Sequence, residues 1–507
     1  MTAFILFAGP IATISGGVVD YNCVLISDIF PNRFWTRTVG VYRLATELRQ
    51  DGHRVKVING YTDFSPSELL ELLKGFIGPE TIWVGYSCTF VEMPPYLSTF
   101  LGVNRSQYPN SFFEIVYVLK SLFPHVKFLV GGTSASVRNY DFADYYVLGY
   151  ADEEIVKLTN MLKLQHRPVA TLIRERECIE CSKEVDFNSR ITRYNKEDAI
   201  FPRECLTIEF TRGCRFKCKF CSFPLNGRTA NAFWKDRRSL AEELIRNYED
   251  LGVSTYIIAD DTFNESTEKL DYYLSVLEEL PFTIQYSSFL RLDLLDSQKS
   301  YWDRLIKTGL RGAFFGIESL NHKAAQAIGK NLKPEVVIGI LAELRKAWQD
   351  EVVTSGGFIA GLPYDTPEIV SSWLQLLRDP QFPLHNHHVQ GLYITHQDTP
   401  TTWTSEFQKN SSHYGYRMIQ DESNCWYWEN DHWNFKEALA LAKSHNNFVH
   451  NKMETPFDCF THTIIMGYGL THQEAFNMKQ GQRYSSKRIN HFVSERIAEY
   501  KKLIAQA

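Results

Sequence analysis

Apolar positions along the first third of the chain switch repeatedly between short continuous runs and runs with helical spacing. "AFILFA" and "RVKVING" read as strands, and between them "VGVYRLATELRQDGH" places Val39, Leu44, Ala45 and Leu48 on or near one helical face that stops at Gly52. "PSELLELLKGF" predicts a helix started at Ser65 or Ser67, "TIWVGYS" a strand, and "SFFEIVYVLKSLFP" a helix stopped by Pro124. "KFLVGGTSA" predicts a further strand, and "DYYVLGYADEEIVKLTNML" a short strand feeding a helix. Repeated strand–helix–strand units predict an α/β domain over residues 1–165, with a doubly wound, Rossmann-like parallel sheet. Ligands of such sheets bind beyond the carboxyl ends of the strands, which here carry Gly9, Ser87, Cys88, Gly131, Gly132, Gly149 and Tyr150.

Residues 166–202 are polar and mixed, and read as a linker with one short hairpin. From 203 to 400 the alternation returns. "CLTIEFT", "VSTYIIADD", "FTIQYSS", "RGAFFGIES", "EVVTSGGFIAGLP" and "HHVQGLYIT" are strands separated by amphipathic helices. Six such units predict a partial (β/α)6 barrel of TIM type, whose active site belongs at the carboxyl ends of the strands. The cysteine cluster, Asp260–Asp261, Ser287–Ser288, Glu318–Ser319 and Gly361–Pro363 all fall there. Residues 401–507 break the pattern and predict a mostly helical region closing one side of the barrel.

Composition narrows the class. No run approaches twenty apolar residues, so no membrane span is expected, and the apolar N-terminus lacks a basic flank and reads as a buried strand. A formal net charge of -5 argues against a broad nucleic-acid surface. The ten cysteines are mostly scattered through 507 residues, which points to reduced thiols in a cytoplasmic protein.

Three of those cysteines crowd one loop. Cys214, Cys218 and Cys221 lie within "CRFKCKFC". Structural zinc wants four ligands, usually as two separated pairs, and no fourth follows at finger-like spacing. Three thiolates after a barrel strand favour a [4Fe-4S] cluster with one iron left open, with zinc and a disulfide as the alternatives. Phe220, before the last cysteine, would pack against the cluster. Smaller features have plain explanations: Asp261 as a helix cap, the Cys178–Cys181 pair as adventitious thiols, "HNHH" at 385–388 as surface loop residues, and the tryptophans around Trp428 as core.

The loop resembles the CxxxCxxC signature of the radical S-adenosylmethionine (SAM) superfamily. "IIADDTFN", "FFGIES" and "GGFIAGLP" are similar to the later strand motifs of its members that carry an N-terminal cobalamin (B12)-binding-type domain. "LVGGTSA" and "YYVLGYADEEIVKL" are similar to strands of that domain, although no Asp-x-His-x-x-Gly loop is present and His53 lies elsewhere. The resemblance implies a cluster on Cys214, Cys218 and Cys221, with SAM contacted by Asp260, Ser288, Arg291, Glu318, Ser319 and Gly361. It implies cobalamin in the cradle of Gly9, Ser87, Gly131, Gly132 and Gly149, where Tyr150 is bulkier than the usual residue. One-electron reduction by an external flavodoxin- or ferredoxin-type donor would cleave SAM to a 5'-deoxyadenosyl radical. Methyl transfer to an unactivated carbon or phosphorus centre of a small-molecule or peptide substrate would follow. A cobalamin-independent radical reaction and a zinc-stabilised binding module are the alternatives.

Overall fold

A computed structural model of the chain describes residues 20–28, 36–89, 111–133, 135–136, 139–173, 175–182, 185–223, 225–228, 231–394, 404–420 and 426–506. "AFILFA" and Gly9 lie outside them. The first described strand is β1, Cys23–Ser27, within the small-residue stretch that follows "AFILFA".

The first sheet orders its strands β2-β1-β3-β4-β5-β7-β6, with β2 Val55–Asn59, β3 Trp83–Ser87, β4 Lys127–Gly131, β5 Tyr145–Leu148, β6 Thr171–Ile173 and β7 Arg176–Glu180. All neighbours run parallel except β6 against β7. Helices α1 (Val39–Gln50), α2 (Pro66–Phe76), α3 (Ser111–Leu122) and α4 (Glu154–Lys163) connect the strands. Val41, Ala45, Leu48, Ile155 and Leu158 of α1 and α4 pack with Leu25, Trp83 and Leu129 on one face, whereas Leu69, Leu73 and Val116 of α2 and α3 pack on the other. The predicted doubly wound sheet is therefore present, and α2 is capped by Ser65, whose side chain and Glu68 form a reciprocal cap. The predicted linker is partly structural, because its hairpin is β6–β7 and extends this sheet.

The second sheet holds six parallel strands in chain order: β8 Cys205–Ile208, β9 Thr255–Ile258, β10 Gln285–Leu290, β11 Leu310–Glu318, β12 Val353–Ala360 and β13 Asn386–Gly391. Helices α5 (Arg237–Leu251), α6 (Thr267–Glu279), α7 (Trp302–Lys307), α8 (Pro334–Trp348) and α9 (Pro367–Leu377) separate them. β8 and β13 are its two edges, so the sheet is open. Its hydrophobic core is continuous with the α1/α4 face of the first sheet.

The C-terminal region completes both sheets. A hairpin, β14 (Arg417–Gln420) with β15 (Trp426–Glu429), precedes α10 (Phe435–Lys452), α11 (Cys459–Met466), α12 (His472–Asn477) and α13 (Arg483–Gln506). α10 packs beside the edge strand β13, and the Asn446 amide accepts from the Val389 N–H (3.0 Å) and donates to its carbonyl (2.8 Å). That side chain stands in for a neighbouring strand on an edge that would otherwise be open. α11 does more than close a side: it lies against β8 to β12 with all but Phe460 buried, and its Cys459 N–H donates to Ser355 Oγ at 2.9 Å. Gly312 makes this approach possible, since a Cβ there would meet Cys459 Cβ at 2.9 Å. α13 returns to the first sheet, where Tyr500 Oη accepts from the Asn59 N–H at 3.0 Å. Buried Arg37 binds Glu204 (2.6 Å), donates to the Ala199 carbonyl and stacks on Tyr500 (4.9 Å), tying the N-terminal sheet, the connecting segment and the last helix together.

The "HNHH" stretch is not surface loop. His385 precedes β13, His387 and His388 lie on it, and His385 and His387 are buried. Burial drives the His387 and His388 pKa values down to about 4 and that of His385 to about 3, so all three are neutral. Among the described residues no helix is long and apolar enough to cross a membrane.

Candidate functional site

The cysteine loop leaves the carboxyl end of β8 and is folded back on itself. The Cys214 carbonyl accepts from the Gly227 and Arg228 N–H groups, the Cys218 carbonyl accepts from the Cys221 N–H at 3.0 Å, and Lys219 N–H donates to the Ile328 carbonyl. All three thiols are free and half-buried. Cys214 Sγ lies 3.3 Å from Thr262 Oγ1, and Arg291 Nη1 donates to Cys218 Sγ at 3.5 Å. Burial raises the Cys214 thiol and pushes Cys221 up to about 12, with Asp261 and the other two sulfurs adding to the latter. Loading a metal here must therefore displace protons.

Among the described residues no three His, Cys, Asp or Glu side chains converge closely enough to share one metal ion. A tetrahedral zinc site requires such convergence, with sulfurs about 2.3 Å from a single ion. Thiolates of an iron–sulfur cubane each bind a different iron, so three free thiols on one loop fit a cluster.

Two buried carboxylates hold the loop in shape. Asp260 Oδ1 accepts from the Phe210 and Thr211 N–H groups (both 2.9 Å), and Oδ2 accepts from Thr211 Oγ1 (2.7 Å) and Lys269 Nζ (2.8 Å). Glu265 accepts from the Arg215 N–H, from Arg228 and from Trp234 Nε1. Asp260 is thus spent on positioning the segment before Cys214, contrary to the expectation that it turns toward SAM. Asp261 is not the helix cap either, because Ser266 caps α6. Its charge helps to raise the Cys214 and Cys221 thiols, and burial together with neighbouring Asp260 raises its own pKa to about 6.

The other expected SAM contacts scatter. Arg291 is paired with Asp293 (2.6 Å), and its guanidinium lies 3.9 Å from the centre of the Phe216 ring, so it faces the cysteine loop with a carboxylate already engaged. Ser288 is fully buried on β10, 3.5 Å from the Ile258 carbonyl. Glu318 ends β11 with φ +70°, a strained value for a non-glycine residue, and binds Lys330 at 3.2 Å. Ser319 Oγ accepts from the Asn321 N–H. Gly361 (φ +99°) turns the chain after β12 directly against Trp428, whose ring a Cβ would meet at 2.5 Å. Its carbonyl accepts from Tyr416 Oη, so C-terminal aromatics brace this turn. Phe220 packs at the margin of the main core.

A cavity of about 1160 Å³ opens between the two sheets and the C-terminal helices. That exceeds the roughly 300–1,000 Å³ of sites for drug-sized ligands. Ser87, Gly131, Gly132, Gly149 and Tyr150 from the first sheet all line it, so the predicted cradle is brought together apart from Gly9. Tyr150 stands at the wall, 4.7 Å from the Arg212 guanidinium, and leaves the space open. Arg212 in turn binds Asp152 through two hydrogen bonds (2.8 and 3.1 Å) and also Glu209, clasping the first sheet to the barrel two residues before Cys214. His53 is outside this wall, bonded to Asn160.

Sequence reasoning missed the opposite walls. Phe289 on β10, Phe314 on β11 and Phe460 on α11 face one another across 4.7–5.6 Å and line the cavity. Lys443, Asn446, Asn447 and His450 line it from α10 at helical spacing, and His388 and Gln390 at strand spacing from β13. Their periodicity was legible, but nothing local says which face of α10 meets a cavity.

Comparison with known proteins places these features. The model of the radical SAM superfamily matches residues 208–377. An uncharacterized methyltransferase from Pyrococcus horikoshii is 24% identical over 359 residues, covering 67% of this chain and 72% of the relative. The radical SAM methyltransferase TsrM from Kitasatospora setae, solved with cobalamin and a [4Fe-4S] cluster, has a similar fold: TM-score 0.62, 13% identity, covering 94% of this chain and 99% of that one. OxsB, a cobalamin-dependent SAM radical enzyme solved with aqua-cobalamin and SAM, gives a TM-score of 0.53 at 16% identity, over 78% of this chain and 56% of its own. The chain contains a radical SAM domain, set behind a doubly wound N-terminal sheet in the arrangement that TsrM shares.

Proposed function

We propose that the chain is a cobalamin-dependent radical SAM methyltransferase acting on an unactivated carbon or phosphorus centre of a small-molecule or peptide substrate. The observation that carries this reading is a cavity lined both by the glycine-rich strand ends of the first sheet and by β8 with the segment that leads from it into the cysteine loop. Its size and its glycine and hydroxyl wall suit a large macrocycle, and the three free thiols suit a cluster. When bound, the cluster would supply the electron that cleaves SAM, and the cobalamin would supply the methyl group.

The chain's own residues have definable tasks in this reading. Cys214, Cys218 and Cys221 hold the cluster, and Arg291 donates to Cys218, offsetting thiolate charge. Asp261, whose charge acts on the loop thiols, and Glu318, at the end of β11, would be the acceptors for SAM. Gly131, Gly132, Gly149, Ser87 and Thr89 cradle the cobalamin, while the Arg212–Asp152 pair fixes the cradle relative to the cysteine loop. An external one-electron donor of flavodoxin or ferredoxin type completes the requirement.

Anaerobic incubation of the reconstituted protein with SAM and dithionite tests the reaction class. The expected products are 5'-deoxyadenosine and S-adenosylhomocysteine. Formation of 5'-deoxyadenosine alone, in the presence of cobalamin, would leave a radical enzyme without methyl transfer.

The cradle makes its own prediction. At Gly132 (φ +97°) a Cβ would meet Thr89 Oγ1 at 2.5 Å and the Thr89 nitrogen at 2.8 Å. Gly132→Ala is expected to weaken hydroxocobalamin binding about tenfold or more, because the wall must shift against a strained backbone worth about 1–3 kcal/mol. Iron content should stay unchanged. An absorbance titration with hydroxocobalamin, run beside an iron assay, checks both.

A further inference from the structure

The walls of the cavity differ in chemistry. On one side Phe289, Phe314 and Phe460 form a continuous aromatic surface, with Phe289 37% exposed although it stands in the middle of the fold. Phe314 and Phe460 are nearly parallel, and Phe289 meets Phe314 edge-on. On another side α10 presents Lys443, Asn446, Asn447 and His450, and β13 adds His388 and Gln390.

The charges lining the cavity are almost all neutralised. Arg37 is held by Glu204, Arg43 by Glu47 and Asp152, and Arg212 by Asp152 and Glu209. Asp458 caps α11 by accepting from the Phe460 and Thr461 N–H groups. Lys443 is the exception among the described lining residues: it makes no ion pair, and it is half-buried in a wall whose histidine neighbour His388 is neutral. Lys443 is partly desolvated, which lowers its pKa, and an anionic ligand group would offset that.

We propose that this part of the cavity is the substrate subsite, and that it takes an aromatic molecule carrying an anionic group, the ring on Phe289, Phe314 and Phe460 and the anion on Lys443. The assignment rests on the methyltransferase reading only for the word substrate; the binding preference stands on the walls themselves. Aromatic rings favour offset and edge-on partners, which the near-parallel Phe314–Phe460 pair and the inclined Phe289 together supply. Lys443 contributes a point charge that accepts a carboxylate or a phosphate without strict geometry.

The test uses 2-naphthylacetate and its neutral amide as probes, titrated by fluorescence into the full-length protein reconstituted with iron, sulfide and hydroxocobalamin. The carboxylate is expected to bind at least tenfold more tightly than the amide. Lys443→Gln should bring that ratio close to one, Lys443→Arg should retain it, and Phe460→Leu should weaken both probes about equally. Equal binding of the two probes, no binding of either, or an unchanged ratio in Lys443→Gln would overturn the proposal. Iron content and SAM cleavage are measured on the same samples. Charge discrimination without SAM cleavage would sink the enzymatic reading and spare the subsite, and the reverse would do the opposite.

Discussion

Alanine in place of Cys214, Cys218 or Cys221 is expected to lower the bound iron from about four per chain to below one. It should also abolish 5'-deoxyadenosine formation, even though the fold survives. Each thiol would hold a different iron, so no remaining sulfur can substitute for the one removed. The loop itself is held by backbone hydrogen bonds and by Asp260 and Glu265, none of which involves a cysteine side chain. Circular dichroism should therefore be unchanged while iron is lost. Cys178→Ala and Cys181→Ala provide the contrast. Both lie at the β7 end of the first sheet, and Cys178 is buried and Cys181 half-buried in a protein environment with no cluster role. Neither substitution should alter iron content. Loss of iron in these two as well would mean that the cysteines contribute through folding rather than ligation.

The second large effect is expected at Asp260. Its carboxylate and the Lys269 ammonium are both fully buried, 2.8 Å apart, and the same carboxylate holds the Phe210 and Thr211 N–H groups. Asp260→Ala leaves an unpaired buried ammonium and two orphaned amides, at a cost of about 3–5 kcal/mol. Hydrogen exchange at the Phe210 and Thr211 amides reads this locally, with a corresponding loss of protection. Iron loading should fall as well, since the segment before Cys214 loses its anchor. Asp260→Asn keeps one acceptor and should be milder. Lys269→Met combined with Asp260→Leu should cost less than the single Asp260→Ala change, because no uncompensated charge remains. A change in protection worth under about 1 kcal/mol in Asp260→Ala would show that the carboxylate is not the anchor.

The two acids of "IIADD" illustrate where sequence reading stops. That acids follow β9 was legible, and so was their position near the site. Which one anchors the loop was not, because it depends on Lys269 arriving from α6 and on two amides that precede the cysteines. The alternation of strands and helices survived almost intact, since apart from the β6–β7 hairpin both sheets are parallel and largely buried, where continuous apolar runs are required. The covering of the histidines at 385–388 was missed, although "HHVQGLYIT" reads as a strand, because its polar start gives no such run. β13 tolerates Asn386, His387 and His388 only because α10 and the segment near Gln480 cover it, the Asn386 amide donating to the Pro456 carbonyl and to Gln480 Oε1. The aromatic wall was out of reach for a similar reason. Phe289, Phe314 and Phe460 are separated by up to 171 residues, and only the seating of α11 against the barrel strands brings the third to the other two.

The central claim is that one cavity serves a cobalamin on the first sheet beside a cluster on the second. Cobalt and iron assayed together on protein purified anaerobically from cells supplied with cobalamin test it most directly. About one cobalt and about four irons per chain are expected. Zinc in place of iron would contradict the cluster, and full iron with no cobalt, even after reconstitution with hydroxocobalamin, would contradict the shared cavity.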